Sequence, residues 1–203
     1  MSNLYSTSGI PMFTLYPFCG QSNTFSWKYF GELNMRQIDK QQELKTMKII
    51  NASEPSLGSS MTEEETRNFL SDGKLFARIG SIDKKGDPNV HPVWYWFEND
   101  KLYFETGKDA RKAQNIMKRS KIYFCVDDDT APYKGVRGKA VATILPDINK
   151  SLPILEKLLI KYTGSLDNKM AKFLFNSVKS GESVVIEITP LFFATWDHSK
   201  GTM

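Results

Sequence analysis

A chain of 203 residues with 40% hydrophobic and 25% charged side chains holds enough apolar material for one substantial core, which excludes disorder throughout. Its formal net charge of +4 suits a phosphate-bearing ligand and falls short of a nucleic-acid footprint. Cys19 and Cys125 lack Cys-x-x-Cys or Cys/His spacing, which argues against a disulfide framework or a metal site and suits a reducing, cytoplasmic setting.

In chain order, residues 1–60 show no sustained period and scatter Tyr5, Phe13, Tyr16, Phe18, Phe25, Trp27 and Phe30 among Ser, Asn, Gly and Pro. They read as a poorly structured extension ahead of a domain over 61–203. The internal Met35, Met47 and Met61 leave a later translation start open. No apolar run reaches the roughly 18 residues of a membrane span and no basic patch leads into an apolar run, so neither anchor nor signal peptide is expected.

Thr62-Glu-Glu-Glu65 predicts a capping box opening a helix that runs to about Leu70 and stops near Gly73. Three β-rich runs follow, Leu75–Ile82, Val90–Phe97 and Leu102–Thr106, separated by Asp83-Lys-Lys-Gly86-Asp-Pro88 and Asn99-Asp100. Val93, Tyr95 and Phe97 share one strand face, and Leu102, Phe104 and Thr106 share another. A short helix over Asp109–Lys118 leads to strands Ile122–Val126 and Val136–Ile144. Ser151-Leu-Pro153 opens an amphipathic helix carrying Ile154, Leu155, Leu158, Leu159 and Tyr162. A second helix carries Met170, Phe173, Leu174 and Val178, and the last strand run, Ser183–Trp196, breaks at Pro190. Six strand runs without β-α-β alternation predict a mainly β, antiparallel small barrel with inserted helices.

The chemistry concentrates in Thr106-Gly-Lys108-Asp-Ala-Arg111-Lys112-Ala-Gln-Asn115. A hydroxyl at a strand end faces a helix start that carries two cations. Free amides at a helix N-terminus favour an anion, Arg111 adds bidentate donors and Lys112 adds a point charge. The bland alternative is that these cations only solvate a surface helix.

Further motifs accompany that stretch: Gly86-Asp-Pro88 before His91-Pro-Val93-Trp-Tyr95-Trp, then Leu102-Tyr-Phe-Glu-Thr106, Ala110-Arg-Lys112, Tyr133-Lys-Gly135-Val-Arg-Gly138 and Ala194-Thr-Trp196. With them the chain from about Met61 to Trp196 resembles the FMN-binding split-β-barrel family that includes pyridoxamine 5′-phosphate oxidase and the F420-dependent reductases. The resemblance implies a six-stranded antiparallel split β-barrel of Greek-key type. It implies a homodimer with the cofactor between subunits, its phosphate held by Thr106, Arg111 and Lys112 with Asn115 behind them, and its ring bordered by Val93, Trp94 and Tyr95. FMN is the expected cofactor and F420 the alternative, with hydride transfer to or from a small substrate as the activity. Ala110 departs from the oxidase's Ser-Arg-Lys triplet, which removes one hydroxyl contact to the phosphate, and the oxidase's Arg- and His-containing segment for its pyridoxal substrate has no counterpart after Trp196, so oxidation of pyridoxamine phosphate itself is not expected.

Other residues receive plainer readings. His91 is structural or superficial although it titrates near neutrality. Trp94 and Trp96 cover a groove wall or an interface. Asp127-Asp-Asp129 is a solvated turn rather than a cation site, and Cys125 is a buried small hydrophobe. No catalytic acid or base and no metal ligand is assigned. A carrier of flavin or haem without turnover remains open, as does a single-strand nucleic-acid binder, against which Glu98, Asp100, Glu105 and Asp127–Asp129 interrupt the basic surface.

Overall fold

Alternation along the strands decides which side chains meet. In a computed structural model that describes residues 47–54 and 57–201, β2 (Ala77–Ile82) turns Ala77, Ile79 and Ser81 inward. β6 (Lys121–Asp128) contributes Ile122, Phe124 and Val126 to the same core, and β7 (Lys134–Ile144) adds Val136, Ala140 and Ala142.

The sheet runs β3 (Pro88–Val93), β2, β6, β7, β8 (Ser183–Pro190), β5 (Lys101–Gly107) and β4 (Trp96–Glu98), curling into a half-barrel. β9 (Phe193–Asp197) pairs with β7, and β1 (Ile49–Asn51) pairs in parallel with β9. Among the described residues nine strands stand where six were expected, for local reasons. The run Val90–Phe97 changes partner at Trp94 and Tyr95, where the chain leaves β2 and joins β5. The run Ser183–Trp196 breaks after Pro190, which lacks the N–H to extend the ladder. β1 is a three-residue edge strand, too short to show a period. It lies upstream of residue 61, and residues 1–46 lie outside the described residues.

Close passage of β9 over β7 depends on two glycines. A Cβ on Gly138 would stand 2.2 Å from the Phe192 carbonyl oxygen, and one on Gly135 would stand 2.2 Å from the Trp196 ring. Between β4 and β5, Asn99 and Asp100 both adopt positive φ, at 54° and 58°, the geometry of a two-residue type I′ hairpin.

Among the described residues four α-helices decorate the sheet. α1 (Glu63–Ser71) opens with the capping box: Glu65 N–H donates to Thr62 Oγ1 over 3.2 Å and Thr62 N–H to Glu65 Oε2 over 2.7 Å. α2 (Arg111–Lys118) follows β5. α3 (Ile148–Thr163) starts three residues earlier than Ser151, because Asp147 accepts the Asn149 amide at 3.0 Å and so caps the first turn. α4 (Lys169–Ser180) is capped by Asn168. α3 and α4 form a hairpin whose Leu155, Leu158, Leu159, Ala171 and Val178 pack on Tyr103 and Val185. β5 and β8 are thus buried on both faces, Phe104 and Ile186 toward the barrel, Tyr103 and Val185 toward the hairpin.

Candidate functional site

β5 ends at Gly107, and a short turn, closed by the Ala110 amide donating to the Gly107 carbonyl over 3.0 Å, delivers the chain into α2. Ala110 is the N-cap and supplies no side-chain acceptor. The opening amides of α2 therefore face outward without the capping oxygen that Ser, Thr, Asn or Asp would provide. Thr106 sits at the strand end, 5% exposed.

Two clefts flank this helix start. One, of about 490 Å³, is lined by Pro92, Val93, Trp94, Glu105, Thr106 and Lys112 on the sheet side and by Leu158, Phe173, Leu174 and Ser177 of the helical hairpin on the other. Its aromatic wall is rigid, since Trp94 stacks on Tyr162 with ring centroids 4.9 Å apart and planes 8° from parallel. The other cleft, also about 490 Å³, gathers Arg111, Lys84, Lys85, Lys118 and Arg119 with Asp83 and Asp87.

The sequence-predicted residues are therefore divided. Val93, Trp94, Thr106 and Lys112 line the aromatic groove, whereas Arg111 faces the charged cleft. Asn115 is 7% exposed and donates through Nδ2 to Ser81 Oγ over 3.2 Å, pinning α2 to β2. Tyr95, expected to border a ring, lies instead in the core at 1% exposure, its hydroxyl donating to the Leu70 carbonyl over 2.9 Å. The partner change at the barrel corner turns its side chain inward, and burial raises its pKa above the usual phenol range.

His91 has more to do with this site than the plain reading allowed. Its Nδ1 is buried without a hydrogen-bond partner, and burial together with the charges of Lys112 and Arg111 pulls its pKa below the usual imidazole range. Three potentially cationic side chains thus converge, with Glu105 the carboxylate nearest in charge to Lys112 and Asp83 that to Arg111. Within the sequence, only the position of His91 two residues before Val93 hinted at this; its nearness to α2 depends on the pairing of β3 with β2. Glu105, previously only an interruption of positive charge, also lines the groove, and burial raises its pKa.

The remaining candidates have local duties. Cys125 has its thiol pushed up to about 11 by burial and neighbouring Asp127, which leaves it poorly nucleophilic. Asp127 pairs with Arg78, and Asp128 accepts the Thr130 amide at 2.9 Å. Trp96 donates through Nε1 to Glu98 over 3.3 Å, away from the groove. Among the described residues no cluster of three or more His, Cys, Asp or Glu has metal-site geometry, and no helix is long and apolar enough to cross a membrane.

A family model described as pyridoxamine 5′-phosphate oxidase matches residues 62–197. The chain is similar to a conserved hypothetical protein from Mycobacterium tuberculosis, at 23% identity over 69% of this chain and 87% of that one, with a TM-score of 0.60. It is similar to an F420 reductase at 21% identity over 63% and 94% of the two chains, TM-score 0.51. It is also similar to the haem storage protein of Vibrio cholerae at 14% identity over 68% and 96%, TM-score 0.54. At these identities the likeness to solved structures is one of fold. No curated protein matches the chain.

Proposed function

The chain belongs to the pyridoxamine 5′-phosphate oxidase family, and on that premise we propose that it is an FMN-dependent oxidoreductase acting on a small substrate. The observation that carries this reading is the unpartnered, buried Nδ1 of His91 beside Lys112 and Arg111, at the start of a helix with no side-chain cap. Such a cradle suits an anion, and a phosphate monoester supplies several acceptor oxygens of matching charge.

In this reading Lys112, Arg111 and the Thr106 hydroxyl hold the phosphate, and His91 adds a donor from below. Asn115 acts from behind by fixing α2 on β2 through Ser81. Val93 and Trp94 border the ring, with Trp94 held flat by Tyr162. Bound FMN would supply hydride transfer. The residues of the chain supply anchorage, and the apolar side chains Leu158, Phe173 and Leu174 exclude water from the groove. The functional unit proposed is a homodimer with the groove completed by a second copy, consistent with the exposed Val90 and Tyr123, 66% and 58% accessible, which both pair with Gly80 on the outer side of the sheet.

The test is an absorption and fluorescence spectrum after separate incubation with FMN, F420 and haemin and removal of free ligand. Retained FMN bands that are bleached by a reductant and restored by substrate or oxygen support the reading. Retained F420 would move it to a deazaflavin reductase, and retention without turnover to a carrier. The double variant Arg111→Ala, Lys112→Ala should release the cofactor while the fold persists; unchanged affinity would remove the phosphate site from α2.

A further inference from the structure

Strand β5 alternates between two apolar surroundings. Leu102 and Phe104 enter the barrel core, while Tyr103 packs beneath the α3–α4 hairpin. Period two places Glu105 on the hairpin side with Tyr103. There it lines the groove among Trp94, Leu158, Phe173 and Leu174.

The two acidic side chains on this face of the β5–β8 ladder are treated differently. Glu187, opposite Tyr103, is satisfied twice, by Lys101 Nζ at 2.8 Å and by the Tyr103 hydroxyl at 3.1 Å. Glu105 stands opposite Val185, which offers no polar side chain. Ser183 and Lys112 face its carboxyl and favour the charged form, yet burial prevails and raises its pKa. The charged and titratable groups around it are Lys112 from α2 and Glu182 ahead of β8; α3 and α4 present Leu158, Phe173, Leu174 and Ser177. A half-buried carboxyl with so few partners opposes folding, and an apolar side chain of that size would pack there better. With Ser183 facing part of the carboxyl, its remaining lone pairs are left for whatever enters the groove.

We propose that Glu105 determines ligand specificity by accepting a hydrogen bond from an N–H on the planar end of the bound molecule. The groove then selects phosphate-bearing heteroaromatic ligands with a donor at that edge over rings of the same shape without one. Lys112 anchors the anionic end, Trp94 and Phe173 accommodate the plane, and Glu105 reads its edge. This rests on the flavin reading above and adds to it the group that recognises the ring.

The experiment is equilibrium titration of wild-type protein, Glu105→Gln and Glu105→Leu with FMN and with FMN methylated at its imide nitrogen, which removes the ring's N–H donor. Wild-type protein should prefer FMN by about tenfold, the scale of one hydrogen bond to a charged group. The Gln variant keeps an acceptor oxygen and most of that preference. The Leu variant should bind both flavins equally, with affinity for FMN reduced about tenfold. A thermal midpoint at or above wild type shows that the Leu variant folds. Wild-type protein that binds FMN and its methylated form equally, or a Leu variant that binds FMN as wild type does, overturns the assignment of Glu105 alone. Wild-type protein that binds no FMN overturns the functional reading and this inference with it.

Discussion

The two clefts beside α2 hold similar volumes and opposite materials. The groove of Lys112 is walled by Trp94, Leu158, Phe173 and Leu174, so its single cation acts in a partly dry setting. The cleft of Arg111 holds five cations against two carboxylates, Asp83 and Asp87, and its lysines and arginines are exposed. Coulomb attraction between groups in contact with water is several-fold weaker than in a low-dielectric pocket and is screened by salt. On the proposed reading, Lys112 is therefore the stronger anchor of the cationic pair and Arg111 the weaker, because surroundings set what each charge is worth.

The sharpest test of that contrast is Lys112→Ala, expected to weaken FMN binding by 10- to 100-fold, or about 1.5–3 kcal/mol for a charge-assisted contact. Lys84→Ala or Lys85→Ala should change it less than about twofold at physiological salt, because exposed charges contribute little. Isothermal titration of the three variants measures both, and comparable losses would erase the distinction between the clefts. Next in size is Trp94→Ala, expected to weaken FMN by roughly tenfold through loss of stacking while leaving competition by inorganic phosphate unchanged.

Tyr95→Phe addresses the residue that left the groove for the core. It should lower unfolding stability by about 1 kcal/mol, by removing the bond to the Leu70 carbonyl, with FMN affinity unaltered. Chemical denaturation and ligand titration on the same variant read the two effects separately. A fall in affinity without a fall in stability would return Tyr95 to the site.

The smallest effect concerns His91. Its pKa in the folded, ligand-free protein lies below that of the unfolded chain, so the unfolded state binds the proton more tightly. The contribution of the neutral imidazole to stability is complete above about pH 6.5 and is lost as pH falls through that value toward the lowered folded pKa. Denaturation midpoints between pH 7.5 and pH 5 should fall in wild type and fall less in His91→Gln. A bound phosphate favours the imidazolium, so FMN affinity should rise over the same interval in wild type and stay flatter in the variant.

Much of the fold was legible because its signals are local. Thr62 and Glu65 sit at the one spacing that lets each satisfy the other's backbone, and the capping box forms as read. The alternation of Ile122, Phe124 and Val126 settles which face of β6 is inward, whatever the partner strands. The helical stripe of Leu155, Leu158 and Leu159 likewise packs as one face. The break at Trp94-Tyr95 carried no such mark, since Val90–Phe97 keeps its period through the point where the chain exchanges one neighbour for another. β1 escaped notice because pairing of Ile49–Asn51 depends on β9, some 140 residues later in a chain of 203.

Local residue order was enough to specify the mainly β character of the described residues, their four α-helices and a cationic helix start at Arg111-Lys112, because caps, periods and turns act over a few residues. The division of that cationic pair between a dry groove and a wet cleft belongs to the packed molecule. So do the convergence of His91 on α2, the withdrawal of Tyr95 into the core and the placement of Glu105 under the α3–α4 hairpin. Each depends on which distant strand or helix lies alongside, and burial, which sets the strength of every charge in the site, exists only after those elements have met.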